Sequence, residues 1–260
     1  ILCTDDSHSE TLVNEGHVNR AVRQAIAHGI SPVTAIQMAT LNTAEHFGLS
    51  REIGMIAPGR YADILLLSDL AEFRPELVIA KGKVVAENGR LLIELPPFPY
   101  PDWATRSVRL GRQLTAADFR LAALPGGRQI ANVIGIIENQ APTRRLQMEV
   151  EPQDGEIRVD LQRDLAKIAL VERHKGSGGV QLGLVHGFGF KATCAIASTV
   201  AHDSHHMVVV GTDEAQMALA ANQLAALGGG QIVVKDGEAI GQVALSIAVL
   251  MSNQRAEVVA

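Results

Sequence analysis

The apolar positions along the chain follow a helical period first and a strand period later. Residues 14–29 place apolar side chains at helical spacing, and 32–47 repeat that spacing after Ser31, a capping residue, with Pro32 at the first helical position. Beyond residue 53, short apolar runs alternate with glycine-containing turns, which is typical of β-strands. The pattern therefore predicts helices followed by a small β unit.

The chain starts with an apolar run that ends in two carboxylates. Ile1–Cys3 leads into Thr4, Asp5 and Asp6. A buried strand ending in a carboxylate is how a (β/α)8 barrel presents an acid at its catalytic face, where the acid can bind a divalent metal and take a proton from metal-bound water. The alternative is that Asp5 or Asp6 only caps the following segment. Asp5 directly follows the run, so of the two it is the better candidate for a metal ligand and catalytic carboxylate, and Asp6 is a candidate for the substrate pocket; these residues alone leave both readings open.

A cluster of prolines separates this part from a second part of different character. Four prolines lie between residues 96 and 101, and because proline lacks the N–H that a sheet requires, a linker is predicted there. The remainder has strand-like apolar runs and one clear helix at 213–227, with Asp213 and Glu214 in its first turn, where the helix dipole favours negative charge. The predicted order is an α/β segment that ends a barrel (1–52), a small β unit (53–95), a linker (96–128) and an α+β domain (129–260).

Composition narrows the class of partner. The net charge is −5 without any basic run, which argues against a nucleic acid or an anionic membrane surface. The two cysteines, Cys3 and Cys194, are too far apart in sequence to suggest a metal motif, and a reducing, cytoplasmic setting is the simplest interpretation. No apolar stretch reaches the roughly 18 residues that span a bilayer. The start has no signal-peptide pattern and no Met, so we expect a piece of a longer protein.

Two polar stretches of the second part are candidates for function. His202, Asp203 and His205 lie close together between apolar runs, and this spacing could bind a metal, or it could form a polar loop whose groups bond one another. Glu172–Lys175 precede a glycine-rich run, 176–179, that could cradle an anion, although it matches neither common phosphate-binding pattern. The alternative is a mobile loop beside the active site or an interdomain contact. The residues alone leave both alternatives open.

Several motifs together resemble a known family. They are Leu2–Asp6, Glu15–His17, Pro32–Asn42 and Ile56–Gly59 in the first part, and Glu172–Gly176, Gly187–Gly189, Ala195–Ser198, Ala201–His205 and Gly228–Gly230 in the second. In this order they resemble the bacterial adenine deaminase family of the amidohydrolase superfamily. The resemblance covers nearly the whole chain and is least distinctive over 96–128.

The resemblance implies a fold and an activity. The fold would be the last strand and following helices of a metal-dependent hydrolase barrel, then part of a small β-sandwich, then the family's α+β C-terminal domain. The activity would be hydrolysis of adenine to hypoxanthine and ammonia by a metal-bound hydroxide, with Mn²⁺ or Fe²⁺ as one ion or a binuclear pair. Asp5 would be the strand-8 aspartate, serving as metal ligand and proton shuttle. His202, Asp203 and His205 would help to close the adenine pocket, in a cytoplasmic homo-oligomer that binds neither nucleic acid nor membrane.

The same resemblance predicts that the chain is incomplete as a catalyst. The family's other metal ligands precede strand 8, and this sequence does not contain them, so we expect the isolated chain to be inactive. We also expect residues 1–50 to pack poorly and 130–260 to fold well. Two alternatives remain: another amidohydrolase acting on a cyclic amide or amidine, and a non-catalytic binding module.

Overall fold

A computed structural model describes residues 1–201 and 203–260, and the chain divides into two compact units. Unit 1 comprises 1–98 together with 254–260, and unit 2 comprises 99–253. Among the described residues, no helix has the length and apolar character needed to cross a membrane.

Unit 1 begins with short helices around a small apolar core. They are α1 (Ser9–Asn14), α2 (Val18–Ala27), α3 (Pro32–Ala39) and α4 (Leu41–His46). The Ser31 hydroxyl accepts the Thr34 N–H at 3.3 Å and caps α3, as its sequence predicts. The helix predicted over 32–47 breaks at Thr40, whose hydroxyl donates to the Ile36 carbonyl at 2.7 Å. Val22, Ala35 and Phe73 are buried together, so this region has a core of its own.

The first six residues differ from their prediction. Ile1–Asp6 is extended chain outside any sheet, and one backbone hydrogen bond, from the Leu2 N–H to the Met38 carbonyl at 3.0 Å, fastens it. Asp5 has a φ of 53°, in the left-handed region that a strand does not use. A barrel strand requires a neighbour on each side, and the described residues form two open sheets and no closed barrel.

The rest of unit 1 is a four-stranded antiparallel meander. Its strands follow one another in sequence order: β1 (Ile64–Leu67), β2 (Pro75–Ala80), β3 (Lys83–Glu87) and β4 (Arg90–Leu91). Lys81 and Gly82, with φ values of 49° and 76°, form the tight turn between β2 and β3. The Asp63 carboxylate accepts the Lys81 N–H at 2.7 Å and holds this turn in place.

Unit 2 is built on one large mixed sheet. A short helix α5 (Asp102–Thr105) and a 3₁₀ turn (Ala116–Phe119) precede it. The strands are β5 (Gln129–Gly135), β6 (Arg144–Val150), β7 (Leu165–Val171), β8 (Val180–His186), β9 (Cys194–Ser198), β10 (Met207–Gly211), β11 (Gly230–Lys235) and β12 (Glu238–Ala244), with α6 (Glu214–Ala226) between β10 and β11. Their spatial order is β12-β11-β9-β10-β7-β8-β5-β6, and only the β5–β8 pair is parallel. The chain then re-enters unit 1, where it forms α7 (Ala256–Val259).

The main core lies between α6 and the centre of this sheet. Met217 and Leu224 of α6 are fully buried, and the small side chains of Ala195 and Ala197 on β9 allow the helix to approach closely. The Asp213 carboxylate accepts the Gln216 N–H at 2.8 Å and caps α6. Burying side chains of this size stabilises a fold by about 1.5–3 kcal/mol each, so this layer anchors unit 2.

From residue 99 onward, the segment predicted as a linker belongs to unit 2. Within 96–128, the side chains of Leu110, Leu114 and Phe119 are buried in the same core as α6. Asn222 of α6 fastens this segment, since its amide accepts the Leu114 N–H at 3.0 Å and donates to the Leu114 carbonyl at 2.8 Å. The prolines at the start of the segment predicted a linker, but they could not show that the residues after them pack into the core of unit 2.

Replacing Asn222 with alanine is expected to loosen this attachment. Both backbone groups of buried Leu114 would lose their partner, and we expect unit 2 to lose about 2 kcal/mol of unfolding free energy. Asn222→Asp keeps an acceptor for the N–H but places a carboxylate oxygen against the Leu114 carbonyl, so it should cost at least as much as the alanine change. The free energy of unfolding of both variants can be measured in urea, with amide exchange in α6 and β7 as the probe. Equal stability of Asn222→Ala and the unaltered chain would contradict the role of Asn222 in holding Leu114.

Candidate functional site

The predicted catalytic carboxylate is exposed and lies at the edge of unit 1. The Asp5 side chain accepts the N–H of Asp6, which is also exposed, at 2.8 Å. Beside it, the Thr4 hydroxyl lies 3.4 Å from Nε2 of His17. Asp5 is therefore exposed to solvent, and it does not follow a strand.

The residues near Asp5 do not complete a metal site. Divalent ions in proteins take four or more ligands, drawn from several side chains or backbone oxygens. Within 1–201 and 203–260, no group of three or more His, Cys, Asp or Glu side chains stands close enough to hold an ion. Asp5 can act as one ligand, and the part of the chain that the structure describes does not fit a metal without further donors.

The glycine-rich stretch after β7 is organised by a carboxylate of the chain itself. The Glu172 carboxylate accepts the N–H groups of His174 at 2.5 Å, Lys175 at 2.8 Å and Ser177 at 3.2 Å, and the Ser177 hydroxyl at 3.0 Å. These bonds, led by that from Lys175, lower the pKa of Glu172 to about 2. Glu172 thus occupies the cradle that the sequence suggested for an external anion. We call residues 172–179 the glutamate loop.

Acid is expected to open the glutamate loop only well below the usual titration range of a glutamate. Because the pKa of Glu172 falls from 4.5 to about 2 in the folded chain, its contribution to stability is fully present above pH 4.5 and is lost as the pH falls towards 2. Amide exchange at Lys175 and Ser177 should therefore stay slow at pH 4, after correction for intrinsic rates. Glu172→Gln should exchange faster at every pH in this range. Opening of the unaltered loop near pH 4.5 would contradict the assigned cradle.

The histidine motif packs directly against the glutamate loop. We call residues 203–206 the histidine loop; His202, also a predicted pocket residue, lies outside the described residues. The guanidinium of Arg173 donates to the His205 carbonyl, Nε2 of His174 lies 3.3 Å from the Ser204 carbonyl, and the His174 and His206 rings meet edge to face at 4.6 Å. The structure thus joins two motifs that the sequence presents separately.

Within the histidine loop, the two described pocket candidates differ in exposure. Asp203 is exposed, whereas His205 is half-buried and has a φ of 48°. An open depression of about 300 Å³ lies beside the loop. Its lining combines an apolar strand surface with three polar side chains: Leu170, Glu172, Gly179, Val180, Gln181 and His206. This end of the sheet therefore offers both a shaped surface and hydrogen-bonding groups.

A second glycine-rich motif lies at the opposite end of the sheet. Gly187 and Gly189 donate their N–H groups to the Asp164 carboxylate at 3.0 and 2.8 Å, and the Phe188 and Phe190 rings stack at 5.4 Å. Strand β8 separates this motif from the glutamate loop along its whole length, since β8 begins after the glutamate loop and ends at His186. The phenylalanines and the histidines consequently do not form one site.

Sequence reasoning missed two buried cations on β7 and its extension. Lys167 is 1% exposed and Arg173 is 4% exposed. Both continue the inward-facing alternation of Leu165, Ala169 and Val171, all of which are buried. Strand side chains alternate between the two faces of a sheet, so counting every second residue from Leu165 places Lys167 and Arg173 on the buried face. A charge buried there requires partners.

Two family models match different parts of the chain. Residues 140–260 match the family model described as the adenine deaminase C-terminal domain, and residues 1–85 match the amidohydrolase family. The whole chain is 55% identical over 262 residues to the adenine deaminase of Ruegeria pomeroyi, of which it covers 43%. It is 49% identical over 261 residues to the adenine deaminase of Moorella thermoacetica, again over its whole length and 44% of that relative. The chain therefore spans less than half the length of the curated relatives that it matches.

Proposed function

Because the chain belongs to the adenine deaminase family, corresponding to the C-terminal portion of its members, we propose that it supplies that portion of an enzyme hydrolysing adenine to hypoxanthine and ammonia. The observation that carries this proposal is the match over the full chain at 55% identity, which extends through both units. The model for residues 1–85 describes amidohydrolases in general, whereas the model for 140–260 is specific to adenine deaminases. The substrate assignment therefore depends mainly on unit 2.

In this proposal Asp5 is the contribution of unit 1 to the chemistry. Amidohydrolases generally use a divalent metal, which activates a water molecule for attack. We propose Mn²⁺ or Fe²⁺ for this protein, with Asp5 as one ligand among donors from outside the chain. As a carboxylate at the reacting centre, Asp5 would also accept and return a proton. It is exposed, and the Asp6 N–H occupies only Oδ1, so the carboxylate has further lone pairs for both roles.

The pocket residues are proposed from the histidine loop of unit 2. Adenine is a neutral, planar base with ring nitrogens and an exocyclic amino group, so it requires a few placed donors and acceptors rather than a charged cluster. Asp203 and His205, with His202, supply these groups in the proposal, and Asp6 is a separate candidate at the start of the chain. We further propose that residues 53–95 are part of a small β-sandwich, and that the complete protein is a cytoplasmic homo-oligomer.

A hybrid enzyme tests the proposal. In it, this chain replaces the matching 43% of the Ruegeria pomeroyi adenine deaminase. We expect the hybrid, loaded with Mn²⁺ or Fe²⁺, to release ammonia from adenine and not to hydrolyse cyclic amides such as hydantoin. Turnover of hydantoin without turnover of adenine would favour the general amidohydrolase reading of residues 1–85. A folded hybrid with neither activity would favour a non-catalytic module.

A further inference from the structure

The buried guanidinium of Arg173 joins three separate segments of unit 2. Its Nη1 donates to the Ser107 carbonyl at 2.7 Å, and its Nε donates to the His205 carbonyl. Its own carbonyl accepts the Arg109 N–H at 2.8 Å. Arg173 therefore connects the glutamate loop with residues 107–112 on one side and with the histidine loop on the other.

The glutamate loop itself is a rigid base for this connection. The Glu172 carboxylate fixes the backbone immediately after Arg173 through the N–H groups of His174 and Lys175. On the other side, Gly111 and Gly176 approach so closely that a Cβ on Gly111 would lie 2.0 Å from the Gly176 oxygen. Arg173 is thus held from both directions, and its side chain can act as a fixed strut.

Arg173 binds the histidine loop at a tight turn. His205 has a left-handed φ of 48°, and its N–H donates to the Ala201 carbonyl at 2.6 Å, which closes a tight turn. The carbonyl on the far side of this residue is the one that Arg173 binds. A guanidinium can donate to two acceptors in fixed directions because its N–H groups form a planar fork. Burial lowers the pKa of Arg173, but an arginine stays charged in proteins.

We propose that Arg173 is the positioning residue of the histidine loop, holding Asp203 and His205 in one arrangement for the purine. The part that concerns the purine rests on the proposed function; the part that concerns the loop does not. A buried cation bound to backbone carbonyls costs desolvation, which a simple packing role would not require. Its directional hydrogen bonds instead define where the His205 backbone lies.

Amide exchange in the 260-residue chain tests the positioning step. Arg173→Met should speed exchange at His205 and His206 by about tenfold or more, because hydrogen bonds from a charged donor are lost. Exchange within β7 and β10 should remain slow, which reports that the sheet is intact. The matched control is Arg109→Met, since Arg109 is exposed and keeps its backbone bond to Arg173. Unchanged exchange in the histidine loop of Arg173→Met would overturn the inference.

A second variant covers the case in which Arg173→Met does not fold. Arg173→Lys keeps the charge but lacks the planar fork, so the loop should still exchange faster than in the unaltered chain. A histidine loop that exchanges at the unaltered rate in Arg173→Lys would overturn the proposal.

The hybrid enzyme tests the role of the positioned loop. Arg173→Met should raise the KM for adenine by about tenfold while kcat per folded enzyme changes much less, as expected when ground-state and transition-state binding are lost together. A merely structural defect would lower the folded fraction and leave KM unchanged. Loosened exchange with an unaltered KM would overturn the purine-binding role and leave Arg173 as the loop's strut. An inactive unaltered hybrid would overturn the proposed function, and the exchange result would still decide the role of Arg173.

Discussion

Asp5→Asn in the hybrid enzyme is expected to lower kcat for adenine by about 1000-fold or more. The change removes a metal ligand and a proton acceptor together, and proton transfer by a positioned group alone contributes about 10²–10⁴-fold. Asparagine has the same shape and retains an oxygen that can accept the Asp6 N–H. Since Asp5 is exposed, the fold should tolerate the change, and the loss should appear in activity rather than in stability.

The control and the companion measurement make this result specific. Glu10→Gln removes the same charge from an exposed position five residues away and should leave turnover within about twofold, as is usual for surface changes. Metal content of the purified hybrid should fall in Asp5→Asn and stay constant in Glu10→Gln. Full activity and full metal content in Asp5→Asn would remove Asp5 from the proposed site.

Glu214→Gln is expected to destabilise unit 2 by about 3 kcal/mol. The ammonium of Lys167 is buried in the core, where it donates to a Glu214 carboxylate oxygen at 2.5 Å and to the Phe119 carbonyl at 3.2 Å. A glutamine at 214 leaves this cation without a countercharge. Lys167→Met should cost less, because the Glu214 side chain is 22% exposed and lies in the first turn of α6, where the helix dipole favours it.

A double-mutant cycle and a pH series measure this pair. Removing both charges in Lys167→Met with Glu214→Gln should restore part of the loss, giving a coupling of about 2 kcal/mol in urea unfolding. Burial alone would raise the pKa of Glu214, but hydrogen bonds from Lys167 and from the backbone lower it overall. The pair therefore stabilises unit 2 above the unfolded pKa near 4.5, and this contribution is lost as the pH falls through the lower folded value. If the losses in unfolding free energy of the two single variants simply add in the double variant, Lys167 and Glu214 do not interact directly.

Local chemistry made some elements predictable and left others out of reach. Ser31 with Pro32 and Asp213 with its helix were predictable because a cap and its N–H groups lie within one turn of each other. The run at Ile1–Cys3 reads as a strand, but a strand forms only against neighbours, and the described chain supplies none. Its apolar pattern therefore indicates a strand only where neighbouring strands are present.

Part of the candidate site was also predictable from the sequence, and part was not. The resemblance located Asp5 and the histidine motif, because both lie in short stretches of unusual sequence. The dependence of the histidine loop on Arg173 was hidden, since Ser107, Arg173 and His205 are distant in sequence and two of the three contribute only carbonyls. Backbone acceptors leave no trace in residue identity, so only three-dimensional structure could reveal this connection.

The rate at which the hybrid enzyme releases ammonia from adenine shows whether this chain can serve as the C-terminal portion of an adenine deaminase. We expect a rate within about tenfold of the unaltered Ruegeria pomeroyi enzyme, since a segment 55% identical to the one that it replaces should preserve the site. The upstream portion of that relative, expressed without this chain, should release none. A folded, metal-loaded hybrid that leaves adenine intact would contradict the proposed function.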